Sequence, residues 1–118
     1  MQLNVNTIEN DDNNKIKFVG DRVFEFDIKK ESIVITFENI TIIPKEIKNL
    51  QNLTYLELNS NKIRKIPEEI GNLKNLYGLF LYGNRIQEIP KEIGNLKALR
   101  ILVLSENQLT EILKTMSV

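Results

Sequence analysis

Residues Ile43–Lys65 read IPKEIKNLQNLTYLELNSNKIRK. The chain then repeats itself. Ile66–Glu88 read IPEEIGNLKNLYGLFLYGNRIQE, and Ile89–Glu111 read IPKEIGNLKALRILVLSENQLTE. Pro44, Pro67 and Pro90 fall in one column, and Asn61, Asn84 and Asn107 in another, so the period is 23 residues. A fixed period of this order marks a stacked repeat protein, because each unit exposes an apolar face that only its neighbour covers. One period before Leu56, Leu58, Ile63 and Ile66 stand Ile33, Ile35, Ile40 and Ile43. Residues 31–43 are therefore the second half of a further unit.

Each residue type has a physical reason. Leu56 and Leu58 are two apart, so on a short strand both point to one side. Equivalent strands of successive units then form a parallel sheet, and a parallel pair needs a return connection. The segment from Pro44 to Leu53 supplies it. Proline suits the first turn of a helix, where its missing N–H is no loss. Ile47, Leu50 and Leu53 recur at spacing three, the inward stripe of one or two helical turns. Gly71 and Gly94 are expected to end or tighten that turn, although Lys48 shares their column. After the strand the chain must bend, which leaves backbone groups without ladder partners. An inward amide both donates and accepts, so Asn61, Asn84 and Asn107 are expected to form a buried structural ladder. The competing reading is three exposed turn asparagines.

The two ends depart from the repeat. Residues 15–28, KIKFVGDRVFEFDI, alternate apolar and polar on both sides of Gly20-Asp21, which predicts a β-hairpin. A solenoid leaves its first apolar face open, so residues 1–30 are read as an N-terminal cap and residues 31–118 as the solenoid. Residues 1–14 are polar and expected to be a solvated end; the cluster Asn10–Asn14 has no calcium-loop spacing. In the asparagine column the first unit carries Glu38, with Asn39 beside it, so a local distortion is expected there. Residues 112–118 suffice only for a short turn over the last strand, so the edge at Ile101–Ser105 is expected to be open to pairing with another chain; the competing reading is that Leu113 and Met116 cover that end.

The run L-x-x-L-x-L-x-x-N-x-I/L appears as Leu53-Leu56-Leu58-Asn61-Ile63, Leu76-Leu79-Leu81-Asn84-Ile86 and Leu99-Leu102-Leu104-Asn107-Leu109. It resembles the leucine-rich repeats of bacterial proteins, with wording especially similar to the leptospiral leucine-rich-repeat family, and also to plant intracellular Ras-group repeats. The resemblance spans Ile33 to about Leu113. It implies an α/β leucine-rich-repeat solenoid: a short right-handed horseshoe or arc with a parallel concave β-sheet and short convex helices. It further implies a non-enzymatic module that binds protein through the concave sheet. For bacterial members it implies a secreted or cell-envelope location and contact with host molecules. Glu38, the hairpin-like start and the small number of units depart from the family pattern. Fold does not by itself name a function.

Composition narrows the classes. With 118 residues the chain is one domain. Lys plus Arg equals Asp plus Glu, 16 each, which argues against a nucleic-acid binder and a polybasic membrane anchor. No apolar run is long enough for membrane insertion, and the N-terminus lacks the apolar core of a signal peptide. There is no His and no Cys. Ser–His and Cys–His nucleophiles and zinc sites with nitrogen or sulfur ligands are thereby excluded. Glu68–Glu69 is read as a helix-start pair, and the glycines form no phosphate loop. The expectation is no enzyme, no cofactor and no metal.

The outward strand positions form three columns: Ser32, Tyr55, Gly78, Ile101; Val34, Glu57, Phe80, Val103; and Thr36, Asn59, Tyr82, Ser105. Large apolar groups on an exposed face mark an interaction site, and aromatic residues are enriched at interface centres. The expected protein-binding residues are Tyr55, Glu57, Asn59, Phe80, Tyr82, Ile101 and Val103, flanked by Arg100. The competing reading is sideways packing that only stabilises the sheet. A basic strip, Lys62, Arg64, Lys65 and Arg85, reads as a solvated edge. The expected partner is a protein ligand. The alternative is an assembly protein that forms a homodimer or larger homo-oligomer through the concave patch or the C-terminal edge.

Overall fold

The computed structural model describes residues 14–110. Readings placed on residues 1–13 and 111–118 lie outside them. The described residues open with a hairpin of β1 (Lys15–Val19) and β2 (Val23–Asp27), paired Ile16 to Phe26 and Phe18 to Phe24. The alternation works as expected. Ile16 and Phe18 are buried, and Phe24, Phe26 and Ile28 pack beside them on the same core as the repeats. Phe18 and Phe26 meet edge to face at 6.1 Å.

The four remaining strands are β3 (Ser32–Val34), β4 (Tyr55–Glu57), β5 (Gly78–Phe80) and β6 (Ile101–Val103). They form one parallel sheet in sequence order, each offset from its neighbour by one repeat. The in-register leucines Leu56 and Leu79 are fully buried, as are Leu58 and Leu81 just beyond the strands. In the last unit the equivalent Leu102 and Leu104 are only half-buried.

The return segments are 3-10 turns over Lys45–Asn49, Glu68–Asn72 and Lys91–Asn95. The reason lies in the spacing of the apolar residues. In the first unit Ile47 donates to Pro44 O, Leu50 to Ile47 O and Leu53 to Leu50 O, each at 3.0 Å. Every third residue thus closes a turn and points inward, which suits three residues per turn rather than 3.6. Two expectations are corrected here. Each proline stands just outside the turn, with extended ψ near 150°, and contributes its carbonyl as the first acceptor. Gly71 and Gly94 lie inside their turns and do not end them. A Cβ at Gly71 would come within 2.8 Å of Glu92 O, so that glycine lets the next unit approach.

The asparagine ladder is present. Asn84 Oδ1 accepts the Ile63 N–H at 3.0 Å, and Nδ2 donates to Leu58 O at 3.0 Å and to Leu81 O at 3.1 Å. Asn61 and Asn107 repeat these contacts one unit either way. Asn61 and Asn84 are buried; Asn107 is half-buried. Each amide therefore ties its own bend to the preceding unit. This explains Glu38. The element before the first unit is a hairpin whose backbone is already paired, so no amide is required. The hairpin tip docks there directly: Asp21 N–H donates to Glu38 O at 2.9 Å, and Arg22 Nη2 meets the Glu38 carboxylate at 3.1 Å. Asn39 holds Asp21 from its side chain at 2.8 Å.

One backbone feature recurs in every unit. Phe37, Ser60, Gly83 and Glu106 share a column, and all have φ between 58° and 70°. Only Gly83 suits this left-handed turn without steric cost.

Candidate functional site

The outward columns are built by the sheet register. Ser32, Tyr55, Gly78 and Ile101 align, as do Val34, Glu57, Phe80 and Val103. Asn59, Tyr82 and Ser105 continue the alignment through backbone bonds from Ser60 to Tyr82 O and from Gly83 to Ser105 O. The sequence-predicted residues are thus brought together on one face.

Their packing is uneven. Gly78 makes the centre: a Cβ there would fall 2.9 Å from Phe80 Cε1 and 3.7 Å from Tyr55 Cδ2. The missing side chain lets the Phe80 ring lean over the strand toward Tyr55. The two centroids are 5.0 Å apart, with planes tilted by 37°. Both rings are half-buried, so part of the expected sideways packing exists. Tyr82 and Ile101 stay 44% and 38% exposed, and Val34 adds an exposed apolar group. Packing and availability therefore coexist on one face.

The polar centre is Glu57, the one charged residue in the three columns. The Tyr55 hydroxyl donates to its Oε1 at 2.8 Å, and Asn59 Nδ2 approaches Oε2 at 3.5 Å. That hydrogen bond to Glu57 raises the Tyr55 phenol above its ordinary pKa, with burial and the nearby negative charge adding to it. Asn59 also braces the backbone, since its Oδ1 accepts the Tyr82 N–H at 2.8 Å and clips two units together. Arg100 is turned to its own loop, where Nη1 donates to Lys97 O and Leu99 O. Its guanidinium hydrogen bonds go to that loop, not to the columns.

Two features were not legible as sites. Phe37 is 79% exposed in the left-handed turn, just beyond the Thr36 position. A groove of about 950 Å³ crosses the units on the flank leading into the 3-10 turns, between Ile42, Pro67 and Pro90. Its wall includes Arg64 and Lys65 of the basic strip together with Glu68 and Glu69. The strip as a whole is solvent-exposed.

Comparison with known proteins agrees with this geometry. The family model described as a leucine-rich repeat region matches residues 31–118. No curated protein matches the chain. Among solved structures, a leucine-rich-repeat protein of Leptospira interrogans is 40% identical with a TM-score of 0.69, over 74% of this chain and 22% of that one. An internalin of Listeria monocytogenes is 32% identical with a TM-score of 0.63, over 70% and 23%. A plant peptide hormone receptor, solved in complex with RGF2, is 38% identical with a TM-score of 0.66, over 72% and 14%. The chain spans less than a quarter of each of these proteins. The period, the parallel sheet, the inward amides and these matches together establish that the chain belongs to the leucine-rich-repeat family, as a bacterial member.

Proposed function

We propose that this chain is a protein-binding module, and that its partner docks on the outward columns of the parallel sheet. The observation that supports this most directly is the half-packed aromatic centre. Tyr55 and Phe80 are held in place by Gly78 and Glu57, while Tyr82, Ile101 and Val34 remain open around them. Rigid aromatic groups lose little conformational freedom on binding, which favours them as anchors. The binding residues of this reading are Tyr55, Glu57, Phe80, Tyr82, Ile101 and Val103, with Asn59 bracing the register. Contact with host molecules belongs to the same proposal, on the likeness to the leptospiral protein and the internalin. The hairpin serves as the cap of the first unit. The test is capture of a binding partner by wild type and by Phe80→Glu/Tyr82→Ser. Binding is expected to fall by more than about tenfold in the variant; unchanged binding would refute the site.

A second reading, a homo-oligomer, has its own observation. β6 pairs on one side only among the described residues, and the core leucines beside it are half-buried. Light scattering over a concentration series separates the cases. A dimer abolished by Phe80→Glu places the self-interface on the concave columns, and one that survives places it at the β6 edge. A monomer throughout removes this reading.

A further inference from the structure

We infer that the concave face accepts an arginine side chain of its protein partner, paired with Glu57 and stacked on the neighbouring rings. The inference rests on the concave-face reading and adds the chemistry of the ligand. Glu57 is central in the sheet, half-buried, and the one charge among the outward positions. It has no ion pair among the described residues, whereas Glu25 and Glu38 do. An ionised carboxylate offers about four acceptor sites. Tyr55 takes one, and the Asn59 amide sits at the long limit of a second. The remaining capacity belongs to a half-buried carboxylate on the outward columns, the face on which the partner is proposed to dock.

The surroundings favour a planar cation. Tyr55, which bonds to the carboxylate, has its ring 5.0 Å from that of Phe80 with the planes tilted by 37°, and Phe80 is the strand neighbour of Glu57. A guanidinium brought to Glu57 therefore arrives among aromatic side chains, and cation–π attraction adds to the charge pairing where a ring face meets it. A partly desolvated carboxylate without a cation is an incomplete pair, and an arginine fork completes it with two parallel hydrogen bonds. The chain already builds this arrangement once within itself. Arg22 forks onto Glu38, with Nε to Oε1 at 3.3 Å and Nη2 to Oε2 at 3.1 Å, while its guanidinium lies 4.9 Å from the Phe24 centroid. There the chain supplies carboxylate, ring and cation. At Glu57 it supplies carboxylate and rings.

The test uses nitrogen-15-labelled protein and the blocked peptide acetyl-Gly-Ser-Arg-Ser-Gly-amide, followed by amide chemical shifts. Controls replace the arginine by citrulline, which keeps the shape without the charge, or by lysine. The arginine peptide is expected to shift the amides of Tyr55, Glu57 and Phe80 saturably. Binding is expected to weaken about tenfold with citrulline, with Glu57→Gln and on raising the salt. Absence of saturable shifts there, equal binding of citrulline, or unchanged binding to Glu57→Gln would overturn the inference. Equal binding of the lysine peptide would overturn the guanidinium assignment. Peptides selected from a random display library separate this failure from that of the parent reading. Selected peptides that are lost with Phe80→Glu but carry no basic residue leave the concave face standing and remove the arginine. Selected peptides that survive Phe80→Glu remove both.

Discussion

Replacing the ladder asparagines one at a time by leucine tests how the units are held together, because the three positions differ in what they leave behind. Asn84→Leu removes four hydrogen bonds, yet all three carbonyls keep a partner, Tyr82 O through the Ser60 N–H at 2.7 Å. Leu58 O still accepts from Asn61 Nδ2 at 3.0 Å, and Leu81 O from Asn107 Nδ2 at 2.8 Å. The group left fully orphaned is the buried Ile63 N–H. The expected cost is about 1–3 kcal/mol, the desolvation penalty of one such donor. Asn61→Leu orphans two donors, Glu38 N–H and Ile40 N–H, and takes the amide partner from Ile35 O. Its cost is expected to exceed that of Asn84→Leu by about 1 kcal/mol or more. Asn107→Leu orphans the N–H of the buried Ile86 and Leu104 O, but Asn107 and Leu104 are half-buried and water can reach the vacated site, so it is expected to cost least. Urea unfolding followed by circular dichroism measures the three differences at a common slope. Equal costs at all three positions, or a neutral Asn61→Leu, would refute the ladder as the tie between units.

Leu79→Ala, which opens a hole at a fully buried strand position, is expected to cost about 2–5 kcal/mol in the same assay. In the left-handed column, Gly83→Ala is expected to destabilise by about 1 kcal/mol and Ser60→Gly to be neutral or stabilising; the reverse order would refute the strain assigned there. The Tyr55 phenol is raised in the folded state, so the native protein holds that proton more tightly than the unfolded chain. Its stabilising contribution is whole below the ordinary tyrosine range and is lost as pH climbs through it. Tyr55→Phe is expected to flatten the alkaline loss of stability, and Glu57→Gln to bring one phenolate transition to lower pH in an absorbance titration.

Much of the architecture was legible because repetition aligns the sequence with itself. The leucine pairs, the asparagine column and the hairpin alternation each state which side a residue faces, and the structure places Leu56, Leu58, Asn61 and Phe18 inside as those patterns require. Spacing three over so short a run is compatible with both helix types, so the sequence marks the return segments only as helical turns. Only the bonds from Ile47, Leu50 and Leu53 distinguish them. Gly71 looked like a turn signal because its reason, the approach of Glu92 from the next unit, is not local.

For the candidate site the division is sharper. Sequence alone determined which residues line the outward columns, since the period aligns strands that lie 23 residues apart. It also determined that Glu57 stands there as a single charge. The tertiary structure decided how those residues are used. The Phe80 ring leans over Gly78 toward Tyr55, the Tyr55 hydroxyl holds Glu57, Asn59 clips the Tyr82 backbone, and Arg100 is drawn to its own loop. The physical reason is that a column assignment follows from backbone register, which periodicity encodes. The direction of a side chain along the face depends on the space its neighbours leave and on the hydrogen bonds within reach, and these exist only once the units are stacked.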